Sequence, residues 1–272
     1  MTDPADLFTD PAERARILAE AQFGLDQIGP LIAALPAGAR VLEVGCGTGF
    51  LLARMAAMRP DLGFTGLEPI GPGFAAFADT LARIKAAQTN VAIYHDGIET
   101  FSDARGFDLV FSVNVFEHVA DWRQAVDNGM ALLVTGGRKV ILCPNYAIPY
   151  EPHFRIPIIG TPALTRRLFS RSIARIEAQS PGLWQSLNFI SLPALRRHCR
   201  QNGHDIRFDA NILPDMLLRL DTDPEFAQRQ ARIAGVARLL NRIGIVALLR
   251  RLPPVASPYM KAVLTRRSDR PR

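Results

Sequence analysis

The apolar positions of the chain alternate between two patterns. Short runs dense in Val, Ile, Leu and Phe occur at 41–44, 62–69, 91–97, 107–115 and 138–146. Such runs are the pattern of strands buried on both faces. Between them, residues 50–60, 74–88 and 121–137 space their apolar side chains three and four apart, as helices with one buried stripe do. Pro60 stops the first of these helices, and Gly136-Gly137 are expected to end the last. An earlier helix is expected to start at Asp10-Pro11-Ala12-Glu13. There Asp10 can cap, proline is tolerated in the first turn, and Glu13 falls at the capping-box position. A break is expected near Gly29-Pro30. Strict alternation of strand and helix predicts an α/β fold, a mostly parallel sheet with helices on both faces.

Past Tyr146 the alternation stops. Residues 147–162 are too rich in proline for a regular helix or a central strand. A basic amphipathic helix at 164–179 follows, then a loop at 181–190 carrying Trp184. The pattern resumes with a helix at 191–203 and a strand at 204–211, and a closing strand is expected at 259–267. The chain therefore divides into a helical segment (1–37), a core (38–146 and 191–211), two inserts (147–190 and 212–257), and a last strand with a basic tail (258–272). In the second insert, apolar residues are dense from Ile233 to Leu249 but are interrupted by Arg238, Asn241, Arg242 and glycines. A cap packed on the domain is expected there, with contact to an anionic membrane surface by residues 226–251 as the alternative.

The stretch with most chemistry is Glu43-Val44-Gly45-Cys46-Gly47-Thr48-Gly49. A glycine-rich turn between a strand and a helix lets backbone approach a nucleotide or nucleoside. A dinucleotide fingerprint would require glycine at position 50, where Phe50 stands. A second acid, Glu68, lies 19 residues past Gly49 at the tip of the second strand. A carboxylate there can accept both hydroxyl hydrogens of a ribose.

With Asp96 ending the third strand and FDLVFSVNVFEHV at 107–119 followed by Asp121-Trp122, four motifs stand in order over residues 38–145, roughly half the chain. Their arrangement resembles the class I S-adenosylmethionine (SAM) methyltransferases, whose first motif reads [D/E]-x-G-x-G-x-G, and among them the ubiquinone- and menaquinone-biosynthesis type. The resemblance implies a Rossmann-like sheet of seven strands, with SAM as cofactor and substrate-covering inserts after the fifth strand. By the same likeness Glu43, Gly45, Cys46, Gly47 and Gly49 hold the methionine end of SAM. Glu68 and Pro69 hold the ribose, and Asp96, Gly97 and Ile98 the adenine. Asn114 and Phe116 line the pocket near the sulfonium. Candidates for the base that takes the acceptor proton are His118, His153 and Tyr150, since a histidine titrates near neutrality. Glu151, Arg155 and Trp184 are expected on the substrate, with Arg166, Arg167 and Arg171 available to an anionic group. Glu117-His118 offers two adjacent metal donors, too few for a site, so no metal is expected.

Composition sharpens the choice of partner. The chain is 48% hydrophobic and 21% charged, ordinary for a globular protein. Residues 1–150 hold 11 Lys+Arg against 17 Asp+Glu, whereas residues 151–272 hold 21 against 9. A basic half suits an acidic partner. No recognisable nucleic-acid-binding module accompanies it, so nucleic-acid methylation is the weaker enzyme reading. A non-catalytic SAM-binding protein on a membrane is the non-enzyme reading. The reading favoured is methyl transfer, at oxygen, to a small-molecule, lipid-linked or sugar-linked (glycan) acceptor. No amide-clamping NPPY-like motif follows the fourth strand, where Asn114-Val115-Phe116-Glu117 stands. Three scattered cysteines, an N-terminus without an apolar core and the lack of an 18-residue apolar run predict a cytoplasmic protein, peripheral at most to the inner face of a membrane. The oligomeric state is left open.

Overall fold

In the computed structural model, residues 4–69, 78–223, 227 and 231–267 are described. The apolar runs become strands β1 (Arg40–Val44), β2 (Gly63–Leu67), β3 (Val91–Tyr94), β4 (Phe107–Val113) and β5 (Leu133–Pro144). A separate antiparallel pair, β6 (Tyr150–Glu151) and β7 (Ile156–Pro157), follows in the first insert. β8 (Asp205–Phe208) and β9 (Tyr259–Thr265) then complete a seven-stranded sheet of order β3-β2-β1-β4-β5-β9-β8. Its first five strands are mutually parallel, and β9 is antiparallel to both β5 and β8.

The helices cover both faces because β1 and β4 are buried on both. On one face lie α1 (Pro11–Ala33) and α2 (Phe50–Met58), contributing Phe23, Ile28, Ile32, Leu52 and Met55 to one core. α3 (Ala78–Ala87) adds Leu81 to the same cluster. On the other face lies α4 (Trp122–Ala131), whose first turn is capped by the Asp121 carboxylate, accepting from the amides of Arg123 and Gln124. The first insert carries α5 (Pro162–Leu168), α6 (Ser170–Glu177) and α7 (Leu183–Ser186). α8 (Leu192–Gln201) then returns to the sheet beside α4, and Trp122, Val126, Leu192 and Leu195 build the second core. Fully burying each such side chain contributes roughly 1.5–3 kcal/mol.

From β1 the chain winds outward through β2 to β3, then crosses back to β4 on the other side of β1. The crevice where the order reverses lies between the carboxyl ends of β1 and β4, the place where open α/β sheets bind ligands. The glycine loop leaves β1 there, and Asn114–His118 leave β4 there.

Several boundaries differ from expectation. α1 runs through Gly29-Pro30 without a break. Pro30 falls in its last turn, and Ile28 and Ile32, both buried, hold the backbone on the sheet on either side. α4 ends at Ala131, because Leu133 pairs with Phe107 instead of continuing the helix. The ladder then skips from Phe107↔Leu133 to Leu109↔Arg138, and Gly136 takes φ +81 in the bulge between them. The basic helix at 164–179 is two helices joined at Phe169. Residues 74–77 of the helix expected at 74–88 lie outside the described residues.

The second insert begins with α9 (Ile212–Thr222), fixed to α1 by Arg219 Nη2 donating to the Ala19 carbonyl. α10 (Ala231–Arg242) packs on α9 through Ala237 and Leu220, and Gly244 starts the short α11 (Ile245–Leu248). Among the described residues no helix is long and apolar enough to cross a membrane.

Candidate active site

The glycine loop is shaped by its neighbours. Gly45 has φ +68, and a Cβ on it would lie 2.5 Å from both methyl carbons of Val115 at the β4 tip. The amides of Gly45 and Cys46 both donate to the Leu67 carbonyl, at 2.8 and 3.0 Å, which ties the loop to β2. Cys46 itself is buried, Gly47 has φ +54, and Gly49 at φ +73 precedes α2. Beside them, Glu68 accepts the Gly47 amide at 2.7 Å. Glu43 and Glu68 are buried together at the strand tips. Burial, and for Glu43 the charge of Glu68, push both carboxyl pKa values up. Among the described residues, Glu43 Oε2 has no hydrogen-bond partner. Pro69 and Asp96 are exposed beyond β2 and β3, Gly97 is half-buried, and Ile98 is buried.

At the β4 tip, Asn114 adopts φ +56, and its Oδ1 accepts the Tyr259 hydroxyl at 2.6 Å. Phe116 is wholly buried in the core, with the Lys139 ammonium 4.8 Å from its ring centre. Its side chain therefore supports the loop from below and does not line the crevice, correcting the expectation. Glu117 is fully buried, and neither of its carboxylate oxygens has a hydrogen-bond partner. Burial raises its pKa to about 7. His118 Nδ1 lies 2.8 Å from Ser186 Oγ, whose own proton goes to the Leu183 carbonyl. The ring is thus the donor and Nε2 carries the lone pair. Burial lowers the His118 pKa to about 4.

The first insert brings a third polar element to the same place. In β6, Glu151 is fully buried and each oxygen is used: Oε1 accepts from His153 Nδ1 at 2.7 Å and from the Tyr146 hydroxyl at 3.0 Å, Oε2 from the Phe154 amide at 2.6 Å. Burial would raise the Glu151 pKa, but the hydrogen bond and charge of His153 outweigh it and hold it below the ordinary range. For His153 burial works downward, and the Glu151 bond and charge win, leaving it raised. The His118 and His153 rings meet edge to face with centres 5.1 Å apart. One donor atom each from Glu117, His118 and His153 lie within 4.8 Å of one another.

Two substrate assignments need correction. Glu151 is buried and committed to His153, so it orients that ring and does not face a substrate. Trp184 is buried in the insert's own core with Phe154, Ile156, Ile173 and Leu187. There its indole meets the rings of Phe154 and Phe189 edge to face, with centres 5.3 and 5.6 Å away. Tyr150 and Arg155 are exposed, as are Arg166, Arg167 and Arg171 on α5 and α6. Three contributors escaped the sequence reading. Tyr146 follows the fifth strand without any motif. Ser186 and Asn188 lie some 70 residues from their partners. Asn188 Nδ2 donates to the carbonyls of Phe116 and Val119, stitching the insert to the β4 tip.

Comparison with known proteins gives this geometry its family. A methyltransferase-domain profile matches residues 42–138, from β1 into β5. An uncharacterized protein of Mycobacterium tuberculosis is 36% identical over 259 residues, 92% of this chain and 86% of that one. A ubiquinone biosynthesis O-methyltransferase of a Ruegeria species is 35% identical over 107 residues, 38% of this chain and 40% of its own. The chain is a class I SAM-dependent methyltransferase. A mycolic acid cyclopropane synthase, CmaA1, solved with S-adenosylhomocysteine, superposes with TM-score 0.57 at 21% identity over 97% of this chain and 93% of that one, the same fold. Its cofactor is SAM, and the crevice of this methyltransferase suits it. The buried, unpartnered Glu43 Oε2 seeks a donor or cation, and Gly45 leaves no room for a side chain beside Val115. A ligand carrying an ammonium and ribose hydroxyls supplies what those groups lack.

Proposed function

We propose that this methyltransferase transfers the SAM methyl group to an oxygen of a small, lipid-linked or sugar-linked acceptor. The acceptor oxygen is taken to meet the Glu117–His118–His153 cluster. Glu43 and the amides of the Gly45–Gly49 loop hold the methionine end, Glu68 and Pro69 the ribose, and Asp96 with Gly97 and Ile98 the adenine. Asn114, pinned by Tyr259, faces the sulfonium. SAM supplies a methyl group already activated on a positively charged sulfur. The protein's part is to align the acceptor and dispose of its proton.

The observation that carries the oxygen assignment is the array in which buried Glu151 holds Tyr146 and His153 beside the β4 tip. A hydroxyl must lose its proton as the new bond forms. This array fixes the tautomer and orientation of His153, so that its Nε2 is directed away from Glu151. His153 is the residue on which loss of that proton depends. Tyr150 and Arg155, exposed on the same insert, are placed on the acceptor side. His153→Ala is expected to lower turnover at least a hundredfold while leaving SAM affinity, measured by calorimetry, unchanged. Turnover within threefold of the wild type would remove His153 from the chemistry.

A lipid-linked acceptor is favoured by what the inserts leave exposed. Ile159, Leu164 and Leu168 of the first insert, and Val236, Leu239, Ile243, Leu248 and Leu252 of the second, are large apolar residues on the surface. Residues 231–258 contain five arginines and no acid, a composition suited to anionic headgroups. Transfer of tritium from methyl-labelled SAM into the lipid, glycan and RNA fractions of a lysate tests the acceptor class. Label confined to RNA would overturn the reading.

A further inference from the structure

Two carboxylates, Glu117 and Glu151, are completely buried within one small region. Glu151 is fully satisfied, by a histidine, a tyrosine and a backbone amide. Among the described residues, nothing hydrogen-bonds to either oxygen of Glu117. A buried polar group without a partner is destabilising, and more so if charged. Some group carrying positive charge or a proton therefore belongs against it. His118 Nε2 lies 4.0 Å from Glu117 Oε1, too long for a hydrogen bond.

The two imidazoles beside it are set up in a particular way. Each has Nδ1 committed to a partner behind it, Ser186 for His118 and Glu151 for His153, so in each neutral ring Nε2 carries the lone pair. A carboxylate behind one ring nitrogen, with the other nitrogen directed forward, is the arrangement that orients metal-binding histidines and raises their basicity. Glu117 and His118 come from the β4 tip, and His153 arrives from the insert 35 residues later in the chain.

We infer that Glu117, His118 and His153 form a binding site for one divalent transition-metal ion of the zinc class, with its remaining coordination position open toward the acceptor. Two imidazoles and one carboxylate are a donor set zinc accepts, with bonds of roughly 2.0–2.2 Å. At tetrahedral angles such ligands stand about 3.4 Å apart. One donor atom from each residue now lies within 4.8 Å of the others, so a pair draws in by up to about 1.4 Å when the ion enters. Rotation of the Glu117 side chain, whose oxygens no hydrogen bond holds, supplies part of that movement, and the ion's charge answers the second buried carboxylate. The inference deepens the proposed function, resting on it only for the acceptor. A hydroxyl bound to the ion in the open position loses its proton to solvent at lower pH than a free one, and His153 then serves as a ligand.

The test needs no acceptor. Full-length protein stripped with a chelator is dialysed against zinc or cobalt(II), and bound metal is counted by mass spectrometry. The cobalt form is read by its visible absorption. The expected result is one ion per chain in the wild type and at least a tenfold loss of affinity in Glu117→Gln and His153→Gln. SAM affinity should be unchanged in both variants, which shows that they are folded. A wild type holding less than a tenth of an ion per chain, or variants that bind as tightly, would overturn the site. The two readings fail separately. Metal bound as expected but label found on a non-oxygen atom would sink the oxygen assignment alone. Oxygen methylation by a protein that binds no ion would sink the metal site alone.

Discussion

Gly45 shows at a single residue how the cofactor loop depends on both backbone and packing. At φ +68 any side chain is strained, and at 2.5 Å from the Val115 methyls any Cβ overlaps them. Gly45→Ala is expected to lower unfolding free energy by about 2 kcal/mol or more, read from the denaturant midpoint. Adding Val115→Ala should recover the packing part and leave the backbone part. Full recovery would show that φ is not the constraint. Glu68 and Asp96 are tested through the ligand instead. Glu68→Ala and Asp96→Ala should each weaken SAM binding about tenfold or more in calorimetry, the cost of losing a charged hydrogen bond. Unchanged affinity would remove the residue from the cofactor site. The positions of Glu68 and Asp96 just past strand ends were legible from the sequence, because the apolar runs before them mark β2 and β3. Tyr146 and Ser186 were not, since only folding brings them to their partners.

Between elements, Lys139 of β5 reaches under α4. Its ammonium donates to the Ala125 carbonyl at 2.6 Å, and a Cβ on Gly129 would lie 2.0 Å from it. Glycine at 129 is thus what lets the lysine in. Burial lowers the Lys139 pKa to about 7, whereas in the unfolded chain it stays near the ordinary value of about 10.4. Between those values the unfolded chain binds more protons, so this group makes stability rise with pH, and its destabilising effect is complete below pH 7. Lys139→Met should therefore show a smaller rise in melting temperature than the wild type between pH 7 and 9. Parallel profiles would mean that the amine is not held neutral. Element boundaries were the least legible feature at this scale. Leu132-Leu133-Val134 suits helix or strand equally, and pairing with Phe107 decides it for strand.

Across the whole molecule, the acidic first half builds the cofactor crevice and the basic second half supplies the inserts. α9 and α10 pack on one another and α9 on α1, as a cap would. Yet the outward face of α10 leaves Val236, Leu239 and Ile243 exposed near Arg238 and Arg242. Cosedimentation with vesicles containing anionic lipid is expected at low salt. It should fall severalfold in high salt or in Arg250→Glu/Arg251→Glu, since headgroup attraction is screened within about 10 Å at 0.1 M salt. Protein that stays in the supernatant at low salt would leave these helices as a cap only.

By itself the sequence determined the sheet, its helical covering and the cofactor motifs. Those follow from local periodicity and from short-range spacing, which survive in one dimension. It also placed His118 and His153 among the residues to watch. The tertiary structure decided that they meet. Glu117, His118 and His153 meet only because the proline-rich insert folds back over the β4 tip, held by Asn188 on the carbonyls of Phe116 and Val119. Two adjacent donors in the sequence thereby became three in space. The same closure buried Glu151 and Trp184, which the sequence had assigned to a substrate, because burial depends on contacts between segments that no local pattern records.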